Sequence, residues 1–183
     1  MPRLSDAQGR EVILDRTTSG LPVINTDHVG IHAKQGFSVS GLFASVANGA
    51  TVNYAFRTPT VASTKIIHLK VREFYAAGNN VRTDLYEAPT NAPTLGTVLA
   101  SYNHNRIAAI PATTMQSVMT GMTLDLSGAT NLETLTFGNS SAVRTSDIER
   151  VLAPNTWYIR TFTNGSGVAA SINFFNFWYE EEA

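Results

Sequence analysis

From Gly36 onward the chain alternates hydrophobic and polar residues with a period of two, the signature of strands with one buried face. The run GFSVSGLFASVA reaches Asn48-Gly49, and ATVNYAFRT follows, which predicts a β-hairpin closed by an Asn-Gly turn. In TKIIHLKVREFYAA (64–77), Ile67, Leu69 and Val71 fall on one face, and His68, Lys70 and Arg72 on the other. Gly78-Asn79-Asn80 turns the chain into VRTDLYE (81–87), whose expected partner is the preceding strand. Residues 88–96 read as a loop, because Pro89 and Pro93 block ladder bonds. LGTVLASYNHN predicts a short strand ending in a turn at Asn103–Asn105. Shorter strand candidates follow in TTMQSVMT, MTLDL and LETLTF. SDIERVLA (146–153) is the one helical signal, with Ser146 as N-cap, Glu149 three residues on and Pro154 as its stop.

The last stretch, WYIRTFT–NGSG–VAASINFFNFWY followed by Glu180–Glu182, reads as two strands joined by a tight turn. Its second strand breaks the alternation: Phe174, Phe175, Phe177, Trp178 and Tyr179 put rings on both faces. A surface strand of an antiparallel sheet commonly has one wet face. Rings on both predict that one face closes a core and the other meets a subunit, another protein or the chain's own N-terminal arm. The acidic tail Glu180–Glu182 is expected near solvent.

About eight to ten short strands separated by turn chemistry define an all-β chain, an antiparallel β-sandwich, jelly-roll-like by preference. Residues 1–30 show no sustained period apart from EVILD (11–15), and are read as an extended N-terminal arm. Residues 31–183 form the sandwich domain. A chain of 183 residues buries roughly 70% of its unfolded surface and needs no covalent staple to fold.

Composition narrows the function classes. The chain has 13 basic and 14 acidic residues and only 15% charge, which gives no basic footprint for nucleic acid. The absence of cysteine excludes disulfides, thiolate metal sites and a thiol nucleophile. No apolar run approaches the length of a membrane span, and no signal peptide is expected behind Met-Pro-Arg-Leu-Ser-Asp.

Catalytic and metal chemistry find little purchase. His28 and His32 stand at i, i+4, but no helix is indicated around them; on a strand they would lie about 13 Å apart, too far for one metal. They are read instead as polar side chains that lock the arm where it joins the body. His104, in YNHNR, sits in turn chemistry. Asp84, Glu87, Asp125, Glu133, Asp147 and Glu149 could supply a glycosidase pair, but read as solvated charge on a β scaffold. There is no GxSxG motif, and the glycine-rich NGSG turn lacks the following helix that a phosphate cradle needs. No catalytic residue, cofactor or metal is expected.

Four stretches in order carry a resemblance: DHVGIHAKQGFSVSG (27–41), DLYEAPT (84–90), YNHNR (102–106) and LAPNTWYIRTFTNGSGVAASINFFNFWYEEE (152–182). Together they resemble tailed-bacteriophage head decoration, or cement, proteins, which show HEIH near the start, then LFEGAT, a YNRNR-like element, LKPNTKYLLRITN and a final DWYE. The chain departs from that pattern in DHVGIH and in Asn176-Phe177-Trp178-Tyr179. The resemblance implies a non-enzymatic virion structural protein with a jelly-roll body, made in the host cytoplasm. It would be bound as a homotrimer to the major capsid protein on the outer surface of the phage head. On that reading Val12, Ile13, Leu14, Leu21, Val23, Ile24, His28 and His32 from the arm, with Phe175, Phe177 and Tyr179 from the last strand, contact the capsid or a sister subunit. A tail or receptor-binding module and a carbohydrate-binding jelly roll are the alternatives.

Overall fold

A computed structural model describes residues 4–5, 11–12, 35–59, 65–94, 96–105, 112–119, 122–138, 142–145 and 149–182. The described residues are all-β. Fourteen strands appear in chain order: β1 (Leu4–Ser5), β2 (Glu11–Val12), β3 (Gly36–Val46), β4 (Thr51–Arg57), β5 (Lys65–Ala76), β6 (Val81–Glu87), β7 (Thr97–Val98), β8 (Tyr102–Asn103), β9 (Gln116–Met119), β10 (Thr130–Phe137), β11 (Ala142–Thr145), β12 (Arg150–Leu152), β13 (Trp157–Asn164) and β14 (Ala170–Glu182). Sheet I has the order β10-β6-β13-β4-β9-β7, and sheet II the order β11-β5-β14-β3-β8 with β12 also on β5. Every pairing is antiparallel, and the two sheets pack face to face as a β-sandwich. β1 and β2 form a separate two-stranded ladder, Leu4 opposite Val12.

None of the three expected hairpins forms. β3 and β4, β5 and β6, and β13 and β14 are each joined by a tight turn, yet each pair is divided between the sheets. The turns cross from one layer to the other and brace one another at one end of the sandwich. Gly49 N donates to Asn164 O at 2.6 Å, Gly165 N to Asn80 O at 3.1 Å, and Asn164 N to Ala50 O at 3.0 Å. Gly167 N reaches Asn48 Oδ1 at 2.8 Å. Asn164 Nδ2 donates to Val46 O and Val168 O, both at 2.8 Å. Gly49 lies at φ +77° and Asn80 at φ +54°, so the turn residues adopt the left-handed backbone their types favour. Turn chemistry specifies a reversal, and packing decides whether the returning strand stays in the same sheet.

Two further expectations are corrected. The segment read as a helical turn holds β12, paired with β5 through Val151 and His68. LGTVLASYNHN is divided between the sheets: β7 borders β9 in sheet I and β8 borders β3 in sheet II, with Leu99 packed on the core between them.

The core is aromatic. Phe162 stacks on Phe174 with centroids 6.0 Å apart, Tyr54 lies 4.4 Å from Phe174, and Phe56 stacks on Tyr158 at 5.3 Å. Phe37 stacks on Trp178, which is fully buried. A β-bulge on β5 sets Lys70 and Val71 against the single residue Phe177, which reverses the facing of everything after it. Arg72 therefore points inward, opposite Asn176, instead of outward with His68 and Lys70 as alternation alone predicts. Inside it meets Glu133 of β10 and Arg160 of β13. Arg160 Nη2 bonds Glu133 Oε2 at 2.7 Å, and Arg72 Nη2 lies 3.6 Å from Oε1. Arg160 also sits over the Phe74 ring at 4.7 Å. Burial lowers the Arg160 pKa to about 10, with Glu133 opposing the shift. Burial pushes the Glu133 carboxyl up, but Arg160 and Arg72 more than offset it, so its pKa lies below the ordinary value. Glu133 is thus an interior ion, not solvated charge; Asp84 stands on the outer face of sheet I but is also covered, paired with Arg82 at 2.9 Å and bonded by Thr134 Oγ1 at 2.5 Å.

A candidate interaction face on sheet II

β14 lies in the middle of sheet II, between β5 and β3. Ile172, Phe174, Asn176, Trp178 and Glu180 face the core, while Asn173, Phe175, Phe177 and Tyr179 stand on the outer face. The register explains how three rings fit in one column. On the β3 side Tyr179 is opposite Gly36, Phe177 opposite Ser38 and Phe175 opposite Ser40. These small partners leave room for the rings. On the β5 side the partners are His68, Val71 and Glu73.

The column is graded. Phe177 is only 6% exposed, covered by His104 edge-on at 4.8 Å and by Tyr179 at 4.9 Å. It supports the face from beneath. Burial lowers the pKa of His104. Phe175 is half-buried and lines an open groove of about 420 Å³ with Ser40, Leu42, Glu73, Tyr75 and Asn173. Leu42 is 51% exposed and Tyr102, on the border strand, 55%. At the other border Glu149 accepts from Lys70 Nζ at 2.6 Å and pairs with His68 Nδ1 at 2.6 Å, contacts that hold its carboxyl below the usual range. Lys65 bonds Glu182.

Glu180 departs from the solvent position expected of the tail. It is 2% exposed and turned inward, where Thr113 Oγ1, Thr114 N and Thr114 Oγ1 (2.8 Å) donate to its carboxylate. Trp178 Nε1 adds a longer bond at 3.3 Å. Four donors supply what burial of a carboxylate requires. Glu181 and Glu182 are exposed.

Phe175, Phe177 and Tyr179 therefore come together on one outer face. Val12 lies in β2, and Ile13, Leu14, Leu21, Val23, Ile24, His28 and His32 lie outside the described residues. Leu42, Tyr75, Asn173 and Glu73 join the face without having been singled out in the sequence. Their signal was available in part: Ser38, Ser40 and Leu42 share a parity, and so do Asn173 and Phe175. Tyr75 was hidden by the β5 bulge. Among the described residues no group of three or more histidines and carboxylates could hold a metal, and no helix is long and apolar enough to cross a membrane. Comparisons with protein-family models, with curated proteins and with solved structures find no match.

Proposed function

We propose that the chain is a virion structural protein, a capsid decoration protein that binds the outside of the major capsid shell of a tailed phage and stabilises it as a homo-oligomer, a trimer in the resembling family. On this reading the sandwich is a jelly roll and residues 1–30 are its arm. The observation that carries the reading is the outer face of sheet II: a ring column on a central strand, bordered by an open groove, on a sandwich whose other outer face has its apolar patch covered by the chain's own segment. The ordered motifs from residues 27 to 182 supply the direction. A decoration protein adds interface across joints of a pressurised shell. A specific contact needs about 1,200–2,000 Å² in total, and many linked copies multiply a modest affinity. Phe175, Tyr179 and Leu42 would supply apolar anchor area, with Phe177 holding the column upright.

Quantifying this chain in purified virions of the phage that encodes it tests the reading. Hundreds of copies per particle agree with a head protein, whereas a few dozen or fewer would move it to the tail. Co-sedimentation with empty shells then tests the surface, and Phe175→Ala should weaken binding by roughly tenfold or more. Removal of residues 1–30 should also weaken it, and unchanged binding would refute the role of the arm.

The same groove favours one second reading. The Phe175 and Tyr75 rings beside the polar groups of Glu73, Asn173 and Ser40 combine stacking surface with hydrogen-bonding groups, as sugar sites do. A glycan array separates the two readings.

A further inference from the structure

The long strand β3 borders sheet II, and β8 covers only Phe37 and Ser38 of it. Backbone groups alternate sides along a strand. The Gly36 carbonyl points to the β8 side, where it accepts from His104 N at 2.9 Å, while Gln35 O faces β14 and accepts from Glu180 N. The same parity turns the N–H and C=O groups of Ser40 and Leu42 outward past the end of β8. Among the described residues nothing pairs with them.

Exposed edges are normally blunted by charge, proline, bulges or brevity. The other borders follow that rule. β10 has a bulge at Leu132 and an inward-pointing Glu133, β7 has two residues, and β11 and β12 have four and three. Val39–Phe43, the sequence VSGLF, has no charge and no proline, and the bulge on β3 comes only later, at Ala44–Ser45. Glycine at the middle of a strand fits a close approach by another backbone.

We infer that the Val39–Phe43 edge pairs antiparallel with the same edge of a second copy, about a two-fold axis at Gly41. This contact rests on the assembling reading above and names one partner for that face. The edge is complementary to itself. Antiparallel pairing sets Ser40 opposite Leu42 of the second copy, so each free N–H meets a free C=O and no like charges approach. Gly41 faces its own counterpart at a non-hydrogen-bonded position, where the Cα atoms come closest. The exposed Leu42 side chain then lies beside a serine at the partner's groove, the hollow left by Ser40 over Phe175. Sheet II becomes continuous through both copies. An isologous contact of this kind closes at a pair. It doubles a monomer, and it doubles a trimer when its two-fold axes lie perpendicular to the three-fold axis.

Light scattering after size exclusion, without shells present, reads this contact directly. Leu42→Lys places a charge on the edge at a half-exposed position, so the fold should survive and circular dichroism checks that it does. The variant should show half the mass of the unaltered chain at tens of micromolar. Ser40→Lys should do the same, which covers the case of a Leu42 variant that fails to fold. Val168→Lys, at an exposed position in the β13–β14 turn, should leave the mass unchanged. Equal masses for the unaltered chain and both edge variants would overturn the inference. Shell co-sedimentation of the unaltered chain keeps the two ideas apart: shell binding with equal masses for chain and variants refutes the edge contact alone, and halved variant masses with no shell binding by the unaltered chain refute decoration alone.

Discussion

The two outer faces of the sandwich carry similar apolar residues and meet different fates. On sheet I, Ala55 and Ile159 are fully buried beneath Met122, Leu124 and Leu126, with Tyr86 and Trp157 alongside. That covering segment is tied down, because Asp125 accepts from Ser127 N at 2.9 Å and from Asn91 Nδ2 at 2.7 Å. On sheet II the Phe175–Tyr179 column has only side-chain neighbours and the short β8 over it among the described residues. On sheet I the chain's own segment covers the apolar patch, whereas on sheet II the described residues leave a groove at Phe175 and Leu42. Sheet I's cover belongs to stability, whereas among the described residues no comparable segment lies over Phe175 of sheet II.

Variants can pull this contrast apart, and the reference point is the interior between the sheets. Glu133→Gln leaves Arg72 and Arg160 buried without their counter-ion and should cost about 3–5 kcal/mol in urea unfolding. Under the sheet I cover, Ile159→Ala should cost roughly 2–5 kcal/mol, nearly as much as a core truncation, because the face is sealed. A loss below about 1 kcal/mol would show that the cover opens readily. Acid separates the same regions by charge. Burial raises the Glu133 and Asp84 pKa values, and ion pairs and hydrogen bonds bring both below their ordinary values of 4.5 and 3.8. Groups depressed in the folded state stabilise it above their unfolded pKa and cease to do so as the pH falls through the folded one. Thermal stability should therefore hold from neutral pH down to about 5 and fall progressively below about 4.5, and Glu133→Gln should flatten part of that fall. The smallest effect on folding belongs to sheet II: Phe175→Ala should change stability by about 1 kcal/mol or less while impairing shell binding. A large loss of stability there would make the open face a structural element and remove the contrast.

Much of the inward-facing set was legible in the chain. Tyr158, Arg160 and Phe162 share a parity, as do Glu133, Leu135 and Phe137, so alternation carried a signal for Arg160 and Glu133 facing inward, which the reading of Glu133 as solvated charge passed over. Alternation also assigned Ile67 and Leu69 correctly. It failed at Val71, which stands outside opposite Phe177, and at Arg72, because one extra residue at Lys70–Val71 inverts the facing and a bulge leaves no local signature in that run. The double-sided rings of β14 announced two packing environments, and the structure separates them into Phe174 and Trp178 within and Phe175, Phe177 and Tyr179 without.

The sequence by itself determined the element type, the turn positions and the unusual character of the last strand, because these follow from side-chain period and local backbone preference. Tertiary structure decided which strands pair. Asn48-Gly49, Gly78–Asn80 and Asn164–Gly167 each reverse the chain as their residues require, but each sends it across to the opposite sheet. A turn's energetics extend over a few residues, whereas the choice of sheet depends on burying both inward faces in one aromatic core. The same long-range packing turned Glu180 from a tail residue into a buried carboxylate, because Thr113, Thr114 and Trp178 meet there only once the sheets close.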